Sequence, residues 1–350
     1  MSASELLSEL IGFDTRNPGG DEAALATLLY EKLRAFDADE VDLERVGSHA
    51  YVAARFGTPR LLVNAHLDTV PTGAGWSRPP LQPHPENGRL YGLGSADTKG
   101  AIAAILGAIA EARPKDTLIL FSGDEEHGGS CMRAFLASGR SSGIERAVVC
   151  EPTSLRVGTR HRGVMAFSAE VSGEGGHSSR ADQLPHPIAK LARIAVAIDD
   201  WGQKMLSVGP AGFRGMCTNV ADLRGGVAFN IVPTRAELLW SLRPPPGTTL
   251  ESVKAEMAAL MPAGVTMKAT LENPTFATRD VEAFRSLLRF DAPVDLAFWT
   301  EAAMLSAAGV NTVVYGPGDI AVAHGPDESV PLEQLEGARA AFVEMFRGSV

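Results

Sequence analysis

The stretch LLVNAHLDTVP, residues 61–71, begins as a buried strand and ends in ionisable side chains. Its first residues form a continuous apolar run, which is typical of a strand covered on both faces. His66 and Asp68 then follow two residues apart, on the same side of an extended chain. This pair has two interpretations: a core histidine hydrogen-bonded to a nearby aspartate, or a metal ligand whose second nitrogen is oriented by Asp68.

Further apolar strands alternate with helical segments on either side of this stretch. Helical periodicity is clear in residues 20–36, and a helix rich in small residues is predicted from Thr98. The segments TLILFSGDEE and RAVVCEPT are predicted as buried strands that end in acidic residues. Such alternation predicts an α/β fold with a mixed, mostly parallel sheet.

The pattern changes within residues 158–269. Strand, helix, strand, strand, helix and strand follow one another there, which is the βαββαβ order of a small ferredoxin-like unit. The α/β pattern returns from about residue 270, and a chain of 350 residues suits about two domains. We therefore expect residues 1–157 and 270–350 to form one domain into which 158–269 is inserted.

The composition excludes several classes of partner. The chain is 45% hydrophobic and 21% charged, with a net charge of −10, and this favours neither nucleic acid nor an anionic membrane as a partner. The three cysteines form no C-x-x-C pair, so a cysteine-based metal site is not indicated. No apolar run of 18 residues and no signal peptide is recognisable, and we expect a cytoplasmic protein.

Acidic and imidazole side chains recur where apolar segments end, and we expect four of these places to be strand ends. Ligands of open α/β sheets bind beyond the carboxyl ends of the strands, so these groups should converge. Carboxylates and two histidines, without cysteine, are ligands that suit two divalent ions such as Zn²⁺, Co²⁺ or Mn²⁺. Two such ions need one carboxylate that binds both. One further acid then remains to take a proton from water. The spacing alone leaves open which acid has which role. The groups are His66 with Asp68, Asp97, Asp124 with Glu125 and Glu126, Glu151, and His324.

The motifs HLDTVP, GLGSADTKG, DEE, EPT and TEAAML…GPGDIAVAHGPDE occur in this order over essentially the whole chain. Together they resemble the M20 family of metallopeptidases and N-acyl-amino-acid deacylases. The resemblance implies a dinuclear metal centre with five ligands: His66 and Glu151 on one ion, Glu126 and His324 on the other, and Asp97 bridging both.

The resemblance also implies roles for residues that are not ligands. Glu125 would be the general base, and Asp68 would orient the first ligand histidine. The inserted domain would act as a lid and a dimerisation domain, from which His177 helps to polarise the scissile carbonyl, commonly in the partner's site. Asn230 and Arg243 would hold the free carboxylate of the substrate.

Within the family, FWTEA, YGPGDIAVAH and EPTSLRVGTRHRG resemble the acetylornithine deacetylase branch and the N-acetyl-L-citrulline deacetylases. The resemblance implies that a homodimer removes acetate from N2-acetyl-L-ornithine or N-acetyl-L-citrulline in arginine biosynthesis. A succinyl-diaminopimelate desuccinylase or a dipeptidase would share the metal residues and is an enzymatic alternative. A non-catalytic binder of amino-acid derivatives is a further alternative, although such a protein would not need Glu125.

Overall fold

The first two helices begin at residues whose side chains cap them. In the computed structural model, which describes residues 2–348, Ser2 and Glu5 form a reciprocal capping box, and the side chain of Asp21 accepts a hydrogen bond from the N–H of Ala23. The helices are α1 (Ala3–Ile11), α2 (Glu22–Ala35), α3 (Lys99–Glu111), α4 (Ser130–Ala137), α5 (Pro187–Lys204), α6 (Leu250–Ala259), α7 (Ala302–Ala307) and α8 (Leu332–Gly348). Among residues 2–348, no helix combines the length and apolar character that crossing a membrane would need.

The strands of the described residues form a large sheet and three smaller ones. Their bounds are β1 (Glu40–Val46), β2 (His49–Phe56), β3 (Leu61–His66), β4 (His84–Glu86), β5 (Arg89–Tyr91), β6 (Thr117–Ser122), β7 (Arg146–Val149), β8 (Gly158–His161), β9 (Val164–Ser172), β10 (Gly176–His177), β11 (Thr218–Gly225), β12 (Ile231–Val232), β13 (Arg235–Leu242), β14 (Thr266–Asn273), β15 (Phe276–Ala277), β16 (Val294–Asp295), β17 (Asn311–Val314) and β18 (Ser329–Pro331).

The centre of the large sheet is parallel. Its strand order begins β1-β2-β6-β3-β7-β17, and β3 runs parallel to both β6 and β7, while β7 runs parallel to β17. Every residue of β3 and β6 is buried, and α3, which is apolar on all sides, packs against β3, α1 and α8. The predicted α/β class with a mostly parallel sheet is therefore confirmed.

The chain divides into two compact units. The first contains the chain up to Thr159, Thr278–Val294 and the chain from Thr300, and the second contains Arg160–Ala277 and Asp295–Trp299. The predicted domain boundaries and the lid role of 158–269 stay predictions.

The second unit is built on an antiparallel sheet of order β11-β13-β9-β14, with α5 and α6 in the connections. This is the βαββαβ order expected for this part of the sequence. Side chains of β9 and β13 alternate between buried and partly exposed, and the buried ones pack with α5 and α6 in one apolar cluster. The alternation follows from covering only one face of the sheet.

One expectation about the first unit is wrong. GLGSADTKG was expected to follow a strand of the main sheet, but Asp97 lies in a turn between β5 and α3. Strand β5 pairs with β4 and β18 in a separate small sheet. Asp97 is consequently positioned by contacts of its own turn and not by the end of a central strand.

Candidate metal centre

Three parallel strands bring polar groups to one edge of the sheet. His66 is the last residue of β3, Glu126 follows β6, and Glu151 follows β7. Since β3 lies between β6 and β7 and parallel to both, the carboxyl ends of these strands are neighbours. The strand order thus brings the segments that carry the three candidate ligands to one edge of the sheet.

Asp97 presents one carboxylate oxygen to each of two histidines. Its Oδ1 lies 2.9 Å from His66 Nε2, and its Oδ2 lies 3.3 Å from His324 Nε2. His324 Nε2 also lies 3.0 Å from Glu126 Oε1. Ligand atoms of His66, Asp97 and Glu126 all lie within 4.8 Å of one another and could hold a metal ion. This geometry suits a carboxylate shared between two ions.

The cluster concentrates negative charge in a buried place. Burial, together with the neighbouring carboxylates, raises the pKa of Glu151 and the pKa of Glu125 well above their usual range. Burial alone would raise the pKa of Asp97, but hydrogen bonds from His324 and His66 lower it. The hydrogen bond to Asp97 is the largest cause of the raised pKa of His324, which is about 10. Two divalent cations would compensate these carboxylates, and the imidazole and oxygen donors fit Zn²⁺, Co²⁺ or Mn²⁺.

The ring of His66 is oriented by the main chain. Its Nδ1 donates to the carbonyl oxygen of Asp68 at 2.9 Å, whereas the Asp68 carboxylate lies 3.6 Å from the same nitrogen. With Nδ1 as the donor, Nε2 is the atom available to a metal. The Asp68 carboxylate instead accepts the backbone N–H groups of Glu125 and Glu126, each at 3.0 Å. The Asp68 carboxylate therefore lies near His66 and also stabilises the turn that carries the predicted base, Glu125.

Glu328 is a site residue that the sequence interpretation missed. It is 1% exposed, and its carboxylate accepts the N–H groups of Gly94, Ala96 and Asp97 at 2.8–2.9 Å. These three bonds fix the turn that carries Asp97. Its position four residues after His324, in HGPDES, could have indicated that it lies near the site. Nothing in that spacing indicates which backbone N–H groups its carboxylate accepts.

The predicted catalytic residue His177 and the predicted substrate-binding residues Asn230 and Arg243 lie in the second unit. His177 pairs with Ile231 between the short strands β10 and β12, so Asn230 is its neighbour, and the Asn230 carbonyl accepts the N–H of Ser178 at 3.0 Å. His177 Nδ1 accepts the N–H of Ser179 at 3.2 Å, which leaves the proton on Nε2. Arg243 follows β13 and is exposed.

Comparison with known proteins places the chain in a family. The profile described as "Peptidase family M20/M25/M40" matches residues 62–347. The chain belongs to the M20 peptidase family. It is thus a hydrolase whose family depends on two metal ions, and the candidate cluster lies within the matched region.

Two curated M20 relatives match nearly the full length. The chain is 36% identical to N-acetyl-L-citrulline deacetylase of Xanthomonas campestris pv. campestris, over 96% of this chain and 94% of the relative. It is 30% identical to acetylornithine deacetylase of Myxococcus xanthus, over 94% of this chain and 92% of the relative. The M20 family metallo-carboxypeptidase Sso-CP2 from Sulfolobus solfataricus shares the fold, with a TM-score of 0.79, 17% identity and 99% coverage of both chains.

Proposed function

We propose that the chain removes the acetyl group from an N-acetyl-L-amino acid, and that its substrate is N-acetyl-L-citrulline or N2-acetyl-L-ornithine in arginine biosynthesis. The observation that carries this proposal is the 36% identity, over nearly the whole chain, to an enzyme named N-acetyl-L-citrulline deacetylase. The full-length match to an acetylornithine deacetylase supports the same substrate class.

Five side chains would hold two divalent ions, with Zn²⁺ as the proposed metal and Co²⁺ or Mn²⁺ as possible substitutes. The contacts of Asp97 with His66 and His324 support Asp97 as the shared ligand. Glu151 would complete the His66 side, and Glu126 the His324 side. When bound, the ions would polarise the acetyl carbonyl and make a water molecule more acidic.

Glu125 is the proposed general base. It would take a proton from the attacking water and deliver it to the amide nitrogen as the C–N bond breaks, so that acetate and a free amino acid leave. The hydrogen bond of its N–H to Asp68 holds its backbone in place. The charge of its carboxyl group interacts with those of His66 and Glu126 in the cluster, which suits proton transfer there.

The second unit would bind the rest of the substrate. With its proton on Nε2, His177 can donate a hydrogen bond to the oxygen that gains negative charge. Arg243 is exposed and can pair with the α-carboxylate through its planar guanidinium, while Asn230 can donate through its amide.

A homodimer is proposed through the second unit. Strand β11 is an edge strand, and Val220 on it is 38% exposed. Val227 and Phe229 in the following loop are 88% and 99% exposed. An unpaired edge next to exposed apolar side chains favours association with a second copy. Light scattering should give twice the chain mass of 36.9 kDa; the monomer mass at enzyme concentrations that support turnover would reject the dimer.

The decisive assay compares four substrates in parallel: N-acetyl-citrulline, N2-acetyl-ornithine, N-succinyl-diaminopimelate and a dipeptide. Amine release is measured with chelator-treated protein and after restoration with Zn²⁺ or Co²⁺. Metal-dependent turnover that prefers an acetylated amino acid supports the proposal. Preference for the succinylated substrate or the dipeptide would replace it with another M20 activity, and binding without turnover would indicate a non-catalytic protein.

A further inference from the structure

The side chain of Asn17 lies behind the turn that carries Glu125 and Glu126. The backbone of Asn17 is held just beyond β3, since its N–H donates to the carbonyl of Thr69 at 2.7 Å. The residue is 7% exposed. A polar side chain in such a place needs partners within the protein.

The amide group of Asn17 links two carboxylates. Its Nδ2 donates to Asp68 Oδ2 at 3.0 Å and to Asp124 Oδ1 at 3.1 Å. Asp68 accepts the N–H groups of Glu125 and Glu126, and Asp124 accepts the first N–H of α4. The two ends of the turn are therefore attached to carboxylates that share Asn17 as a donor.

Burial makes this shared donor important. Asp68 is 0% exposed and Asp124 is 5% exposed, so their charges are poorly screened by solvent. On the far side, His49 Nε2 lies 3.5 Å from Asp124, and His49 Nδ1 lies 2.8 Å from Glu22. Asn17 is a neutral donor that both carboxylates use. Without it, both would lose a hydrogen bond and shift, and the amides that they hold would move with them.

We propose that Asn17 is a positioning residue for the reaction proposed above, and that through Asp68 and Asp124 it determines where Glu125 and Glu126 lie. Displacement of the turn would affect the base and one metal ligand together. A displacement of about 1 Å can lower a rate about 100-fold, and loss of an outer hydrogen-bond partner typically lowers metal affinity or activity about 10–100-fold. Asn17 itself need not contact the substrate.

The variant Asn17→Leu tests this proposal because it keeps the approximate volume and removes both donors. We expect kcat to fall about 10–100-fold while KM stays within about threefold, because the turn carries catalytic groups and not the substrate-binding ones. The visible absorption spectrum of the Co²⁺-loaded variant should also change, since it reports the ligand geometry at Glu126.

Asn311→Leu is the matched control. The side chain of Asn311 makes three hydrogen bonds to the backbone of residues 279 and 280, away from the candidate metal centre. Its loss should lower the melting temperature and leave kcat and the cobalt spectrum unchanged. The control therefore separates a loss of stability from a loss of positioning.

A folded Asn17→Leu protein with wild-type kcat and a wild-type cobalt spectrum would overturn the proposal and leave Asn17 with a structural role. If Asn17→Leu does not fold, Asn17→Ser, which keeps one donor, should show a smaller loss of kcat, and wild-type kcat in that variant overturns the proposal as well. If the wild-type protein hydrolyses no acyl substrate, the proposed function fails by itself. The cobalt spectrum then still decides whether Asn17 positions the ligand.

Discussion

Replacing Glu328 by glutamine should weaken the turn that carries Asp97. The carboxylate of Glu328 accepts three backbone N–H groups: Oε2 accepts that of Gly94, and Oε1 accepts those of Ala96 and Asp97. Glutamine has one oxygen, which can keep the two bonds of Oε1. Its NH₂ group would then face the N–H of Gly94, so that one buried donor loses its acceptor.

The expected cost follows from these three bonds. A buried N–H without an acceptor costs about 1–3 kcal/mol, and each remaining bond loses roughly 1 kcal/mol because its acceptor is no longer charged. Removing the charge also relieves the cost of its burial and the repulsion from Asp97 but gives up the attraction to Lys99, and together these changes offset part of this loss. We expect the free energy of unfolding to fall by about 2–4 kcal/mol, which corresponds to a decrease of about 4–16 °C in melting temperature.

Calorimetry in the presence of chelator measures this effect without a contribution from metal binding. Glu336→Gln is the control, since Glu336 is exposed on α8 and pairs with Arg339 at the surface, where such a pair is worth about 0–1 kcal/mol. Metal affinity of Glu328→Gln should fall as well, because the Asp97 turn loosens. A melting temperature within about 1 °C of wild type would refute the assigned strength of the three bonds.

Three further outcomes are expected. Glu125→Gln should keep its metal content and melting temperature but lose turnover about 10²–10⁴-fold, since general base catalysis contributes this much, and near-normal turnover would move the base elsewhere. Chelation should lower the melting temperature and added Zn²⁺ should restore it, because ions that bind only the folded chain stabilise it; an unchanged temperature would contradict the metal site. Burial raises the pKa of Cys131 to about 12 and the pKa of Cys150 well above its usual range, whereas Cys217 is exposed. A thiol reagent at neutral pH should therefore modify one cysteine in the folded protein and three in denaturant, and modification of a second thiol in the folded protein would be inconsistent with this burial.

The central strands could be predicted because a strand that is buried on both faces appears in the sequence as a continuous apolar run. β3, β6 and β7 are short apolar runs that end in polar residues, and their parallel order follows from the helices between them. It was therefore predictable from the sequence alone that His66, Glu126 and Glu151 converge. The assigned catalytic and ligand roles came from a family resemblance and stay predictions.

The short strands and the glycine-rich turns have no comparable apolar run in the sequence. Strands β5 and β8 have three and four residues and, unlike β7, no apolar run that marks them. Each also pairs with a strand that is distant in sequence, β5 with β18 and β8 with β17. Asp97, in GLGSADTKG, was expected at the end of a strand of the main sheet, and the short strand β5 precedes it instead.

The sequence by itself determined that His66, Glu126 and Glu151 lie near one edge of the sheet, because strand direction and burial are encoded in local periodicity. Only the tertiary structure decided how those groups are held. Asn17 reaches Asp124 across 107 positions of the chain, and Glu328 reaches Gly94 across 234. Such bonds join loops whose approach depends on the packing of the whole unit. A buried amide or carboxylate therefore finds its partner only once the chain is folded.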